Sequence, residues 1–107
     1  MPTLPNAVST FFDIINGGDI PGLVDCFSED AVVRDERRSH HGHAAIIAWQ
    51  EEVRAAVNFT ATVVDIVGDE VQVNALCHVE GNFRGSPVKL EHRFTMAGEK
   101  IQTLEIV

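Results

Sequence analysis

Up to Val57 apolar side chains recur mostly at helical spacing, and after Asn58 they alternate with polar ones. A 3.6-residue period buries one stripe of a helix, whereas a two-residue period buries one face of a strand. The chain therefore reads as helices first and hairpins afterwards. That order marks the α+β class, with helices gathered on one face of a curved antiparallel sheet rather than alternating with its strands. A length of 107 residues leaves room for one core, so a single domain over 1–107 is expected.

Leu4, Val8, Phe11, Phe12 and Ile15 form one helical stripe, with Pro5 tolerated in the first turn and Asn16-Gly17-Gly18 as the stop. Asp19 is placed to cap a second short helix, in which Ile20, Leu23, Val24 and Phe27 repeat at helical spacing behind Pro21. Ser28-Glu29-Asp30 breaks the pattern and Ala31–Asp35 reads as a short strand. The polar stretch Glu36–Gly42 reads as an exposed loop. From His43 a third and longest helix presents Ile46, Trp49, Val53 and Val57 on one side. Beyond Asn58, the turn signals Gly68-Asp69, Gly81–Gly85 and Ala97-Gly98-Glu99 divide four strands into an antiparallel meander.

Alternation sorts the faces of those strands. Val71, Val73, Ala75, Cys77 and Val79 share one face of the second meander strand, and Val88, Leu90, His92 and Phe94 share one face of the third. In the last strand Leu104 and Ile106 lie opposite Ile101 and Val107, so both sides are mixed and the second side is expected to meet a partner.

Eight basic against sixteen acidic residues give a net charge of -8, which repels phosphate backbones and anionic lipid surfaces. Nucleic acid and membrane are excluded as expected partners, leaving a small apolar or neutral molecule or another protein. The longest apolar run, Ala44 to Trp49, is far short of the roughly 20 residues of a spanning helix. The start Met-Pro-Thr-Leu-Pro-Asn has neither the basic nor the apolar part of a secretory leader, so a cytoplasmic protein is expected, with Cys26 and Cys77 as buried free thiols.

Two residues stand out chemically. Asp35 shares a strand face with Ala31 and Val33; facing the helices, it would be a carboxylate in an apolar space, suited to general-base work. Ending the strand, it would instead bond to loop amides beside Arg37 and Arg38. His92 is the polar exception on an apolar face, either a hydrogen-bonded core residue or a site acid. His40, His41 and His43 lack the ligand spacing of a zinc site, so no metal is expected. Neither Cys26 nor Ser86 sits in a nucleophile elbow, and Gly17-Gly18 lacks the surroundings of a phosphate cradle, so no cofactor is expected.

Phe12 to Asp19, Phe27-Ser28-Glu29-Asp30-Ala31-Val32-Val33-Arg34-Asp35, His41-Gly42 opening a helix with Ile46, Arg93-Phe94 and Lys100-Ile101-Gln102-Thr103-Leu104 together resemble the nuclear transport factor 2-like superfamily. The SnoaL-like and ketosteroid isomerase-like branches are nearest, over almost the whole chain. The resemblance implies a cone-shaped barrel in which three helices and a strongly bent sheet enclose a pocket. It also implies homodimers formed through the outer sheet face, and Asp35 as the base that moves a proton beside a ketone. In the isomerase, a tyrosine on the first helix and an acid on the penultimate strand stabilise the oxyanion. Those positions match Phe11 and Leu90 here, and the chain has no tyrosine. Each missing donor costs on the order of 2.7–4 kcal/mol of transition-state stabilisation, so ordinary ketosteroid isomerisation is not expected.

The resulting expectation is a SnoaL-like small-molecule-binding protein. Asp35, assisted by His92 or a loop histidine, would act as an isomerase, cyclase, lyase or hydrolase on a small apolar carbonyl compound. Phe11, Trp49, Val73, Val88, Leu90, Leu104 and Ile106 would line the pocket, with His41 at its rim. The alternative is a non-catalytic ligand-binding or dimeric interaction module of the same fold.

Overall fold

A computed structural model describes residues 4–107; Met1–Thr3, part of the stretch tested above for a leader, lie outside them. Helix α1 spans Asn6–Ile15 and buries Val8, Phe11, Phe12 and Ile15, the stripe read from the sequence. A single 3-10 turn over Ile20–Gly22 leads into α2, Leu23–Cys26. The second helix is thus shorter than its apolar repeat implied, and Asp19 makes no side-chain cap bond. Phe27 is not its last turn but the first residue of strand β1, Phe27–Asp35.

The largest departure from expectation is Glu36–Gly42. Instead of an exposed loop, Arg38–His41 forms strand β2, paired antiparallel with β1. Asp35 lies opposite Arg38, so only Glu36 and Arg37 make the turn, both with positive φ of 51° and 67°. Two left-handed residues in succession are the geometry of a tight hairpin that follows strand twist, normally met by Asn-Gly. A polar edge strand with a single buried residue carries no apolar alternation by which to recognise it.

Helix α3, Gly42–Ala56, buries Ile46, Trp49 and Gln50. The meander then follows as β3 (Phe59–Gly68), β4 (Gln72–Gly81), β5 (Val88–Ala97) and β6 (Lys100–Ile106). The sheet order is β2-β1-β6-β5-β4-β3, antiparallel throughout except for the parallel pair β1 and β6. Val71, expected on the core face, precedes β4 and is 63% exposed in the turn. Gly68 has φ +127°, and a Cβ there would fall against the Gln72 carbonyl, so this turn position requires glycine.

Register shifts at three places curl the sheet: within β1 between Phe27 and Val32, in β3 at Val64, and in β6 at Gln102. The last one explains the mixed faces of β6. The extra residue resets the alternation, so Ile101 and Leu104 both turn inward and are buried. The mixed pattern is therefore a bulge, and needs no partner to account for it.

The helices close over the concave side and share one core with the sheet. Asn16 ties the end of α1 to β3, accepting from the Ala61 N–H and donating to its carbonyl, both at 2.8 Å. Arg54 of α3 donates to the Ile14 and Gly18 carbonyls at 2.6 and 2.8 Å, satisfying the end of the same helix. Cys26 and Cys77 are buried free thiols; burial pushes the Cys77 thiol up to about 11, far from a reactive thiolate. Among the described residues no helix is long and apolar enough to cross a membrane.

Candidate functional site

The register aligns a row of side chains across the inner face of the sheet. Asp35 lies opposite Ile106, Ile106 opposite His92, and His92 opposite Ala75. Partners across a ladder point to the same side, so Asp35 and His92 face the concave surface together, two strands or about 10 Å apart at their backbones. Ile106 lies between them.

The next row, His40, Val33, Leu104, Phe94 and Val73, is buried from β2 across to β4. In the other direction along β5, Leu90 and Val88 still face inward but are only partly covered, like Asp35 and Ile106. The concave face thus has a sealed part and an open part. The open part is a shallow apolar surface of Val88, Leu90 and Ile106 with one carboxylate at its edge.

Phe11, expected to line a pocket, is instead fully buried at the centre of a ring cluster. Its ring centroid lies 5.3 Å from that of Phe12, 5.8 Å from Phe27, 5.7 Å from Phe94 and 6.4 Å from His92. Val73 and Leu104 also belong to the sealed part. An open cleft of about 1240 Å³ lies at another end of the molecule, between the start of α1, Cys26 and the turns after β3 and β5. A smaller one of about 190 Å³ lies between Ile15, Gln50, Arg54 and Phe59, and neither reaches Asp35 or His92.

Asp35 does not pair with Arg37 or Arg38. Its Oδ2 accepts a hydrogen bond of 3.1 Å from the indole N–H of Trp49, a residue buried to 4% exposure in α3. The other side of the assembly is His40, whose ring stacks with the indole at 5.7 Å and 29°. Alternation along β2 decides which histidine points in: His40 lies opposite the inward Val33, while His41 lies opposite Val32 and is exposed. Burial, reinforced by the Arg38 charge and opposed by Asp35, holds the His40 ring below the ordinary histidine range, favouring its neutral form. His40 was legible only as one of three nearby histidines, because its direction depends on the strand the sequence hid.

His92 is 3% exposed, and burial among apolar groups lowers its imidazole to about 4, with the Leu90 backbone opposing this in part. It is neutral at pH 7, and its Nδ1 has no hydrogen-bond partner among the described residues. Its ring packs against Phe12 and Phe94 at 5.4 and 6.3 Å. Phe11 and Leu90 have no donor to offer, and His92 is one of three buried polar side chains among the described residues, with His40 and Gln50. His43 is engaged elsewhere, its Nε2 lying 2.8 Å from the Phe27 carbonyl. Among the described residues no three His, Cys, Asp or Glu side chains are grouped to hold a metal.

The arrangement supplies a held, partly exposed carboxylate beside an apolar surface, the minimum equipment for removing a proton from a carbon acid.

The fold and sequence have clear counterparts. A family model for the SnoaL-like domain matches residues 8–103. A candidate polyketide cyclase from Sinorhizobium meliloti superposes with a TM-score of 0.92 at 35% identity, covering 97% of this chain and 95% of that one. A protein of ketosteroid isomerase-like fold from Catenulispora acidiphila, solved with trimethylamine, gives 0.85 at 19% identity over 98% and 86% of the two chains. TerC, co-crystallised with polyporic acid, gives 0.78 at 18% identity over 94% and 87%. No curated protein matches the chain. With the family model spanning most of its length and a close structural relative agreeing from end to end, the chain belongs to the SnoaL-like family.

Proposed function

We propose that the protein is a SnoaL-like binder of a small, largely apolar carbonyl compound and that it performs cyclase- or isomerase-type proton transfer with Asp35 as general base. The observation that carries this is the Asp35 carboxylate itself. It faces the concave side at the edge of the half-open Val88, Leu90 and Ile106 surface, with one oxygen held by Trp49. The resemblance at 35% identity to a candidate polyketide cyclase favours a carbon acid flanked by carbonyls over a steroid ketone. Phe11 and Leu90 cannot stabilise a strongly basic enolate, which again favours a substrate whose enolate is already stabilised by a second carbonyl.

His92, enclosed behind Ile106 with its Nδ1 unpartnered among the described residues, is the second polar group of this face. A second copy of the chain covers the outer face of the sheet, where Leu76 is half-buried among polar neighbours and Asn74 Oδ1 has no partner among the described residues.

The test is Asp35→Asn. The substitution keeps size and hydrogen bonding to Trp49 but removes the base. Deuterium uptake from D2O at the central carbon of a 1,3-diaryl-1,3-diketone, followed by proton NMR, should fall at least about 100-fold while affinity for the diketone changes little. Unchanged uptake in Asp35→Asn removes the catalytic role and leaves a binding module.

A further inference from the structure

We propose that Trp49 is a positioning residue for Asp35, holding Oδ2 so that Oδ1 is the oxygen that takes the substrate proton; this rests on Asp35 being the base. An indole N–H buried in a core must find an acceptor, and most side-chain hydrogen bonds go to the backbone or to water. Trp49 instead reaches from α3 to the end of β1 and bonds the carboxylate at 3.1 Å. Among the described residues Oδ1 has no such partner.

The indole is itself fixed. His40 stacks on it from β2, and the two-residue turn through Glu36 and Arg37 joins the His40 strand to Asp35. One rigid unit therefore holds the ring from β2 and the carboxylate from β1. An unrestrained aspartate samples several χ1 and χ2 settings, and a base displaced by about 1 Å loses up to about 100-fold in rate.

The proton balance is simple. Oδ1 takes the proton from the carbon between two carbonyls, and the C–H electron pair becomes the enolate. In isomerisation the proton returns to another carbon. In ring closure the enolate carbon attacks a second carbonyl, and the new alkoxide takes the proton back from Oδ1. No further reactant is required.

Trp49 is the single tryptophan of the chain, so replacement of tryptophan is replacement at this site alone. Two changes test the proposal: Trp49→Phe, and biosynthetic exchange of tryptophan for its benzothienyl analogue, which keeps the ring shape and lacks only the N–H. In the diketone exchange assay each should lower kcat about 10- to 100-fold with KM within about threefold. The indole cross-peak in a nitrogen-15 spectrum should also move upfield in Asp35→Ala, with faster solvent exchange.

An unchanged kcat in the benzothienyl protein overturns the proposal, as does a rise in KM alone, which would make Trp49 a pocket wall. An unmoved cross-peak in Asp35→Ala overturns it as well, whatever the kinetics. Loss of exchange in Asp35→Asn together with full exchange in both Trp49 forms overturns the positioning role and leaves Asp35 as base. Wild-type exchange no faster than in Asp35→Asn overturns both. Should Trp49→Phe fail to fold, the isosteric analogue decides.

Discussion

A neutral imidazole enclosed by phenylalanine rings makes the stability of this fold depend on pH through His92. Its folded value of about 4 lies below the ordinary 6.5, so between those limits the unfolded chain binds a proton that the folded one rejects. Stability from this group is complete above about pH 6.5 and is lost as pH falls toward 4, by about 3 kcal/mol over the window. His92→Leu should therefore flatten the pH dependence of urea unfolding across that window relative to wild type; parallel curves would mean that His92 is protonated within the fold. At the same scale, the chemical identity of Asp35 and His92 as exceptions on apolar faces was legible from alternation alone. The Trp49 bond was not, because it joins a helix to a strand end and no spacing rule couples position 35 to position 49.

Among the elements, helices α1 and α3 and strands β4 and β5 follow directly from their periods, since each buries an apolar stripe or face, whereas edge strand β3 buries only Ala61. Strand β2 was hidden because its inward position is filled by His40, and the front of β1 because Ser28, Glu29 and Asp30 read as a break. The bulge at Gln102 could not be read either, since it appears in sequence only as an alternation that changes phase. The β1 to β2 turn gives a prediction at this scale. Glu36 and Arg37 occupy left-handed conformations that each cost a non-glycine residue about 1 kcal/mol, whereas Asn-Gly adopts them readily. Glu36→Asn with Arg37→Gly should raise stability by about 1–2 kcal/mol, read as a higher unfolding midpoint. A lower midpoint would show that the turn adopts a different conformation.

At the scale of the whole molecule, the curled sheet has a concave side occupied by helices and a convex side bearing Arg93 between Glu91 and Glu105 at 3.2 and 3.5 Å. These are exposed ion pairs of small energetic worth, and Glu91 lies opposite the half-buried Leu76 on the neighbouring strand. If a second copy packs there, sedimentation should give twice the mass of 11.7 kDa, and Leu76→Arg should raise the dissociation constant more than about tenfold. A wild-type protein sedimenting as a monomer at micromolar concentration rules the dimer out. The family itself was legible from the order of short motifs, each weak alone, because order and spacing together reflect the fold that spaces them.

The parallel pair β1 and β6 also bears on how the chain reaches this shape. Ser28 bonds to Gln102, 74 positions away, and the central position of β6 in the sheet means that β1 and β2 cannot join the meander until β6 is in place. Closing so long a loop carries a large entropic cost before any contact offsets it, which slows folding relative to the local hairpins. During synthesis on the ribosome, the strand that carries Asp35 therefore waits for almost the last residues described here to emerge. The β1–β6 pairing that seats the base cannot precede β6.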